Sequence, residues 1–525
     1  MLRKIRIGVA GAIFVFATLL LLDFTGVLHA WLGWVARVQL VPAILALNIV
    51  ALVVVAALTF LFGRVYCSTL CPLGVMQDGI SWASGRRKGH RARFGYMRPL
   101  SWLRYGLLVL MAVAMVSGIA AVVTLFDPWG AFGRIVQNLF SPLWRFGNNA
   151  LAWVAERADS YAFYSVEVWV RSWIAFGVAA LWLVGLAVLA WWKGRVYCNA
   201  ICPVGTLLGL VSRVSLFAPR IDGTKCTSCG LCEKKCKSEC IDSKSMTIDR
   251  SRCVVCFDCV DSCKFGAVRY SACKVSRPLP PVGGVDRGDE KSKGVSRRKF
   301  FSIAALAAAA TPAALRAQQV ERILLQVDGG LADIEARIRP DRATPITPPG
   351  SVDARHFRNN CTACQLCVAA CPNNVLVPSS RLATLMQPEM TFERGYCRPE
   401  CVECGAVCPS SAIEPFTAAD KTAISVGRAV YIGHNCVVRR DGVPCTECER
   451  HCPVKAISMV PLNAEHAALA AAEAAGTRRW GAPPVLRTPV VDTTLCIGCG
   501  ACEHLCPARP HSALCVEGNS THHSV

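Results

Sequence analysis

Four long apolar runs dominate the N-terminal part of this 525-residue chain. They extend over residues 8–28, 40–63, 105–126 and 172–192. Each run is close to or above the about 20 residues that an α-helix needs to cross a bilayer. The pattern therefore predicts four transmembrane helices, with buried helices of a soluble protein as the alternative.

Basic residues flank these runs unevenly. Three precede the first run, and the connection between the second and third runs contains seven: Arg86, Arg87, Lys88, Arg91, Arg93, Arg98 and Arg104. Residues 127–171 instead balance four basic against four acidic side chains. Because positive connections stay in the cytoplasm, both ends of the four-helix unit are predicted to be cytoplasmic. The net charge of +21 then reflects topology, and we expect no nucleic-acid partner.

A twelve-residue pattern occurs twice at the ends of apolar runs. GRVYCSTLCPLG, residues 63–74, returns as GRVYCNAICPVG, residues 194–205. Residues four apart share one face of a helix, so Cys67 and Cys71, and likewise Cys198 and Cys202, can point the same way. Three interpretations stay open: four thiolates holding a further cluster, redox-active thiols near a quinone head group, or a structural role in the turns.

The chain contains 31 cysteines, most of them after residue 219. The spacing C-x2-C-x2-C-x3-C recurs, which is the ligand run of bacterial [4Fe–4S] ferredoxins. Disulfides and zinc are the alternatives, and a repeated full run is typical of neither. The sequence therefore predicts iron–sulfur clusters.

Residues 1–219 form the predicted membrane domain, and residues 220–273 form the first soluble module. Its two ligand sets, with the fourth cysteine exchanged as in two-cluster ferredoxins, are Cys226, Cys229, Cys232 and Cys263, and Cys253, Cys256, Cys259 and Cys236. Cys240 could replace Cys236, or be a spare thiol like Cys273. Lys237 and Lys264 stand where proline usually follows the fourth cysteine, and their charge is expected to raise the cluster potentials.

The C-terminal module, residues 351–525, carries sixteen motif cysteines in four groups. The groups are Cys361, Cys364, Cys367, Cys371; Cys397, Cys401, Cys404, Cys408; Cys436, Cys445, Cys448, Cys452; and Cys496, Cys499, Cys502, Cys506. Each group ends in Cys-Pro, and four groups predict four clusters, with the exchange of fourth cysteines left open and Cys515 unassigned. An Ala-rich helix is expected over residues 464–475. The chain would thus hold six clusters, or seven with the turn cysteines.

The segment between the two modules has three parts. Residues 274–295 form a Pro-, Gly- and charge-rich linker. Residues 296–317, which include Arg297 and Arg298, resemble a twin-arginine signal read by the export machinery. Residues 318–339 predict an amphipathic helix that is interrupted at Gly329 and Gly330, and a Pro-rich link follows up to residue 350. The C-terminal module is therefore expected in the periplasm.

Several absences narrow the function. There is no C-x-x-C-H motif for c-type haem, and His29 is the only histidine near an apolar run, so we expect no haem. No Rossmann or Walker glycine motif is evident. The sequence predicts an electron carrier without catalytic residues of its own.

Residues 1–273 resemble NapH, the membrane ferredoxin of periplasmic nitrate reductase systems, in the two C-x3-C-P turns, the DPWGAFGR segment at residues 127–134 and the two-cluster module. Residues 296–525 resemble the NapG- and MauM-type exported ferredoxins. The resemblance implies an α-helical, multi-pass protein of the bacterial inner membrane with two α+β ferredoxin-like modules. It also implies a quinol dehydrogenase-type component that takes electrons from the quinone pool to a periplasmic reductase. A maturation factor for a partner metalloenzyme and a redox sensor are the rival functions.

Overall fold

The computed structural model describes residues 1–86, 94–160, 162–272, 327–328, 332–333, 337–477 and 483–525. Its N-terminal unit is helical. The helices are α1 (Leu2–Leu22), α2 (Val27–Arg37), α3 (Leu40–Leu45), α4 (Ile49–Phe62), α5 (Val65–Thr69), α6 (Pro72–Arg86), α7 (Ser101–Ser117), α8 (Ala120–Phe126), α9 (Pro128–Ile135), α10 (Ser141–Arg157), α11 (Trp173–Lys193) and α12 (Pro203–Ser212), with π-helical turns at Val136–Phe140 and Tyr197–Ile201.

Two helices in the described part of the chain are long and apolar enough to cross a membrane, α1 and α11, each of 21 residues with a mean hydropathy of 2.3. The second and third predicted spans are each divided. Leu47 takes a left-handed conformation at φ 49° between α3 and α4, and Gly118 at φ 72° ends α7. Four uninterrupted membrane helices are therefore not confirmed, because local backbone conformation breaks two of the four apolar runs.

The two-cluster module is built from short elements around its cysteine loops. They are β1 (Phe217–Ile221), α13 (Leu231–Lys234), β2 (Ile241–Asp242), β3 (Thr247–Ile248), α14 (Asp258–Ser262) and β4 (Val268–Ala272). Strand β1 pairs antiparallel with β4, and β2 with β3. The pair of β1 and β4 thus joins the two ends of the module.

The C-terminal module repeats this plan on a larger scale. Its elements are α15 (Ala354–Asn360), α16 (Leu366–Ala370), β7 (Leu376–Pro378), β8 (Pro388–Met390), α17 (Glu403–Val407), α18 (Ala418–Thr422), β9 (Ile424–Tyr431), α19 (Val437–Arg440), α20 (Glu447–Arg450), β10 (Ile457–Pro461), α21 (Ala464–Ala474), β11 (Arg487–Val491), α22 (Ala501–His504) and β12 (Leu514–Ser524), with 3-10 turns at Leu382–Thr384 and Gly433–Asn435. The antiparallel pairs are β7 with β8, β10 with β11, and β9 with β12. Helix α21 confirms the predicted Ala-rich helix.

The segment between the modules is described only in part. Residues Val327–Asp328 and Ala332–Asp333 form the short antiparallel strands β5 and β6. The predicted amphipathic helix is therefore wrong at these four residues, which lie on either side of the predicted interruption at Gly329 and Gly330. The linker 274–295, the signal-like residues with Arg297 and Arg298, and Cys273 lie outside the described residues.

The two modules contact opposite ends of the helical unit. At the start of α1, Arg3 pairs with Asp258 of the two-cluster module, at 2.7 Å between Nε and Oδ1. The start of α7 contacts the same module, where Arg104 donates to the Ser251 carbonyl at 3.2 Å, whereas Gly118 beyond its end lies against Asn359 of the C-terminal module. An α-helix of the length of α1 spans about 32 Å, which is close to the thickness of a bilayer core.

Candidate iron–sulfur sites

Four of the six ferredoxin motifs share one backbone conformation around the second cysteine. The residues immediately before and after the second cysteine both have positive φ: Ser228 and Gly230, Val255 and Phe257, Ala363 and Gln365, Gly498 and Gly500. These left-handed residues curl the loop so that three closely spaced cysteines can face one side. The two motifs with a wider first gap, at Cys397 and Cys436, have no positive φ around their second cysteine, so a longer arch replaces the tight curl.

In the two-cluster module, Cys253, Cys256, Cys259 and Cys236 line one cavity. We name this group set 2. Cys240 lines the same cavity, and its sulfur lies 3.6 Å from that of Cys236. The predicted exchange of a fourth cysteine between motifs therefore has a structural basis here, with two thiols offered for one position.

The electrostatics distinguish these two thiols. The neighbouring Cys240 thiol, together with the backbone N–H groups of Cys240, Ser238 and Glu239, lowers the pKa of Cys236. Because these backbone donors stabilise a thiolate at Cys236, and the thiolate is the iron ligand, Cys236 is the better fourth donor of the two.

The other predicted group of this module, set 1, lies nearer to the solvent. Cys232 interacts electrostatically with Cys226 and Cys229, and Cys229 is exposed. Cys232 and Cys263 both pack at the edge of the buried cluster that is formed by Cys236, Cys240, Ile241, Cys259 and Val268. Set 1 is thus the solvent-facing group of the module, whereas set 2 faces the helices.

The C-terminal module exchanges its fourth cysteines in pairs. One cavity is lined by set 3, which is Cys361, Cys364, Cys367 and Cys408. A second cavity is lined by set 4, which is Cys371, Cys397, Cys401 and Cys404. The first two sequence groups therefore give each other their last cysteine, an exchange that spacing alone left open.

The last two sequence groups do the same. A third cavity is lined by set 5, which is Cys436, Cys445, Cys448 and Cys506. The remaining cysteines, set 6, are Cys452, Cys496, Cys499 and Cys502, which interact electrostatically with one another. All sixteen motif cysteines are thereby brought into four groups of four.

The four sets of this module form a row. Cys367 of set 3 interacts with Cys404 of set 4. The Cys397 N–H of set 4 donates to the Cys499 carbonyl of set 6 at 2.9 Å. Cys502 of set 6 in turn interacts with Cys448 of set 5. The order is therefore 3, 4, 6, 5, which the order along the chain does not reveal.

Set 3 is the end of the row that contacts the helical unit. Its neighbours are the glycines of DPWGAFGR, because a Cβ atom on Gly130 or Gly133 would collide with the carbonyl oxygens of Thr362 and Cys364. Asn138 Nδ2 donates to Gln365 Oε1 at 2.9 Å. The glycines thus allow a backbone-to-backbone approach that side chains would prevent.

The donor sets fit iron–sulfur clusters. Within the described ranges, no three His, Cys, Asp or Glu side chains converge on a point suited to a single metal ion, and the described cysteines form no disulfide. Four thiols around a cavity are instead the ligands that a [4Fe–4S] cube requires. Burial raises the pKa of several of these thiols, for example to about 12 at Cys364 and Cys499, so bound iron is needed to stabilise the thiolates.

The turn cysteines are brought together by the repeat. Cys67, Cys71, Cys198 and Cys202 belong to one buried cluster of the helical unit and interact electrostatically with one another. His29 lies in the first turn of α2, and its Nδ1 lies 2.9 Å from Asp23 Oδ2.

Lys237 modifies the expectation for the cluster potentials. Its ammonium lies 3.1 Å from Asp258 Oδ2 and 3.6 Å from Asp78 Oδ1. Two carboxylates therefore offset the charge that was expected to act on set 2. Lys264 is exposed, where water and salt screen its charge.

Comparison with known proteins agrees with the cysteine geometry. A family model described as "4Fe-4S binding domain" matches residues 44–91 and 174–222, and each of these ranges contains one copy of the repeat. A model described as "4Fe-4S dicluster domain" matches residues 443–509. No solved structure matches the chain significantly.

Curated relatives match part of the chain. The methylamine utilization ferredoxin-type protein MauM of Methylobacillus flagellatus is 31% identical over 34% of this chain and 70% of its own length. The ferredoxin-type proteins NapF and NapG of Escherichia coli are 29% and 28% identical, over 32% and 35% of this chain and 84% and 78% of their own lengths. The chain is an iron–sulfur electron-transfer protein that belongs to the ferredoxin-type family of MauM.

Proposed function

We propose that the chain is a membrane-bound conduit that passes electrons from quinol to a periplasmic acceptor such as a reductase. The main observation in support of this proposal is that set 3 contacts the helical unit directly, through Gly130 and Gly133. This contact lies at the end opposite the two-cluster module. A [4Fe–4S] cluster supplies single-electron transfer when bound. The C-terminal module holds set 3 against the helices, and sets 4, 6 and 5 lead away from them in a row.

The exterior of the helices supports a membrane location. Apolar side chains on α4, α7 and α11 are more than half exposed: Val50, Val53, Val109, Val113, Val116 and Leu181. Trp31 and Trp102 are each 77% exposed, and tryptophan is typical of the bilayer interface. Apolar surface spread over several helices is costly in water and stable in lipid. In this proposal α1 and α11 span the bilayer, and the divided pairs α3–α4 and α7–α8 complete the four spans.

The proposed orientation follows from charge and from the signal-like segment. The two-cluster module lies at the end of α1 that carries Arg3 and Lys4, which favours the cytoplasm. The C-terminal module lies at the other end, as export of the segment after Arg297 and Arg298 would require. Sets 1 and 2 would then be cytoplasmic and sets 3 to 6 periplasmic, for six clusters in total.

Quinol oxidation releases protons as well as electrons, and in this proposal His29 accepts a proton. The imidazole follows α1, near the end that contacts the C-terminal module, and is 8% exposed. Asp23 holds its Nδ1, while its Nε2 has no hydrogen-bond partner among the described residues. The Asp23 carboxylate would orient the ring and stabilise the imidazolium that forms.

The test is anaerobic reduction of the purified, detergent-solubilised protein by a quinol analogue, followed by electron paramagnetic resonance of the clusters. Prompt reduction of the C-terminal sets supports a quinol-fed conduit. Signals that dithionite produces and quinol never produces would overturn it and favour a maturation or sensing role. His29→Gln is expected to slow reduction by quinol and leave reduction by dithionite unchanged.

A further inference from the structure

We infer that Cys67, Cys71, Cys198 and Cys202 together hold one additional [4Fe–4S] cluster, shared between the two copies of the repeat and placed between the two ferredoxin modules. Each copy supplies only two cysteines, so neither copy can complete a four-thiolate site alone. The four thiols are between 4% and 7% exposed. The family match covers each copy separately, whereas the structure makes them halves of one site.

The two copies are interlocked by reciprocal hydrogen bonds. Arg64 of the first copy donates to the Cys198 carbonyl of the second at 3.0 Å. Arg195 of the second copy donates to the Cys67 carbonyl of the first at 2.7 Å. This exchange fixes the two cysteine pairs relative to each other, as a shared ligand set requires.

Two glycines tighten the same arrangement. A Cβ atom on Gly74 would collide with the Cys67 carbonyl oxygen, and a Cβ atom on Gly205 with that of Cys198. Each glycine lies two residues after the proline of its C-x3-C-P turn. The turn therefore folds back on its own first cysteine, which brings both cysteines of a copy to one side.

Buried positive charge supplies a second, independent indication of an anionic group. Arg64 is completely buried. Its guanidinium contacts the Asn199 side chain, the Ser251 carbonyl and, at 3.8 Å, the Cys67 sulfur. Among the described residues no carboxylate forms an ion pair with it. A buried cation is costly without a counter-charge, and four thiolates with a cluster are anionic.

The position of the site gives its role, which rests on the proposed function. Arg195 interacts with Cys198 and also with Cys256 of set 2. On the other side, Tyr197 interacts with Cys202, and Arg134 interacts with both Tyr197 and Cys364 of set 3. The site thus lies between sets 2 and 3, where a bound cluster takes up one electron and releases one without a change in covalent bonds.

The test is iron and acid-labile sulfide per chain in the full-length protein, purified anaerobically. Cys67→Ala and Cys198→Ala are each expected to lose about four iron and four sulfide, and the double variant is expected to lose no more than either single variant. Cys515→Ala, a buried cysteine outside every set, is the control and is expected to lose none. Unchanged iron in both single variants, or a double variant that loses twice as much, would overturn the shared site.

A measurement on the unaltered protein covers the case in which a variant fails to fold. Non-reducing peptide mapping under anaerobic conditions is expected to show all four cysteines as free thiols once iron is removed. A disulfide among them would overturn the cluster and support redox-active thiols. Neither readout uses quinol, so failure of the site and failure of quinol oxidation are distinguishable.

Discussion

The two ferredoxin modules both make close backbone contacts with the helices, but they differ in the charge between module and helices. Among the described residues, four ion pairs join the two-cluster module to the helical unit: Arg3 with Asp258 and with Asp261, Lys193 with Glu239, and Lys237 with Asp78. The described part of the C-terminal module has one, Arg394 with Glu167, beside the backbone contact at Gly130 and Gly133. An ion pair is weakened by salt and by replacement of either its basic or its acidic partner. A close backbone contact depends instead on the absence of a side chain.

The modules also differ in what they expose. Cys229 of set 1 is exposed, whereas three of the cysteines of set 3 are buried at 8–9%. Set 1 is therefore nearer to the solvent, whereas set 3 lies between the helices and set 4. In the proposed conduit, the two-cluster module would exchange electrons with a partner at set 1, and the C-terminal module would receive them at set 3.

The largest effect is expected from a side chain at the glycine contact. Gly133→Ala introduces a methyl group against the Cys364 carbonyl, and overpacking of this kind costs about 1–3 kcal/mol, which weakens docking about 5- to 150-fold. Hydrogen exchange at residues 361–370 is expected to accelerate. Gly147→Ala is the matched control, because nothing lies within 4 Å of its added Cβ; equal exchange in the two variants would contradict the contact.

Removal of a shared carboxylate is expected to have the next largest effect. Asp258→Asn leaves Arg3 and Lys237 without one partner each, and because Arg3 is 42% exposed the loss is about 1 kcal/mol. Docking of the two-cluster module should also weaken more with added salt than docking of the C-terminal module, because more ion pairs join it to the helices. Hydrogen exchange of both modules over a salt series measures this, and a matching response of the two modules would remove the distinction.

A smaller effect concerns the potential of set 2. Lys237→Met removes a cation beside Cys256, and because a cation favours the reduced, more negative cluster, the midpoint potential is expected to fall. Lys264→Met, at an exposed position, is expected to produce a smaller shift. Redox titration followed by electron paramagnetic resonance compares the midpoint potentials of the two variants. A larger shift in Lys264→Met would contradict the screening of Lys264 by solvent.

The smallest effect expected is a difference in acid stability. Burial lowers the pKa of His522 to about 4, with Asp353 and His523 as its charged neighbours. Because the unfolded chain then binds the extra proton first, the C-terminal module loses stability as the pH falls from about 6.5 towards 4. The two-cluster module contains no histidine and lacks this contribution. His522→Phe is expected to reduce the loss, as thermal unfolding at several pH values would show.

Spacing along the sequence indicated the cysteine motifs but not how the motifs combine. Three cysteines of a motif are close along the chain, so each motif is visible in the sequence alone. The exchange of Cys408 with Cys371, and of Cys506 with Cys452, depends on how loops cross in space and was not readable from spacing. The row 3, 4, 6, 5 was hidden for the same reason.

The helices show the opposite limit. Hydropathy located the apolar runs but could not show that Leu47 and Gly118 break two of them, because a single left-handed residue hardly changes a hydropathy average. The repeat indicated that Cys67 and Cys71, and likewise Cys198 and Cys202, can point the same way. The reciprocal contacts of Arg64 and Arg195 could not be predicted, since arginines beside membrane runs usually signal topology alone.

The most direct test of one electron path through the chain uses the protein reconstituted in sealed vesicles, with a reductant that cannot cross the lipid added outside. The account predicts that all clusters become reduced in intact vesicles, including those of the module that faces the interior. It also predicts that the Cys67→Ala and Cys198→Ala double variant confines reduction to the outward-facing module. Confinement already in the unaltered protein would contradict a path that connects the two modules.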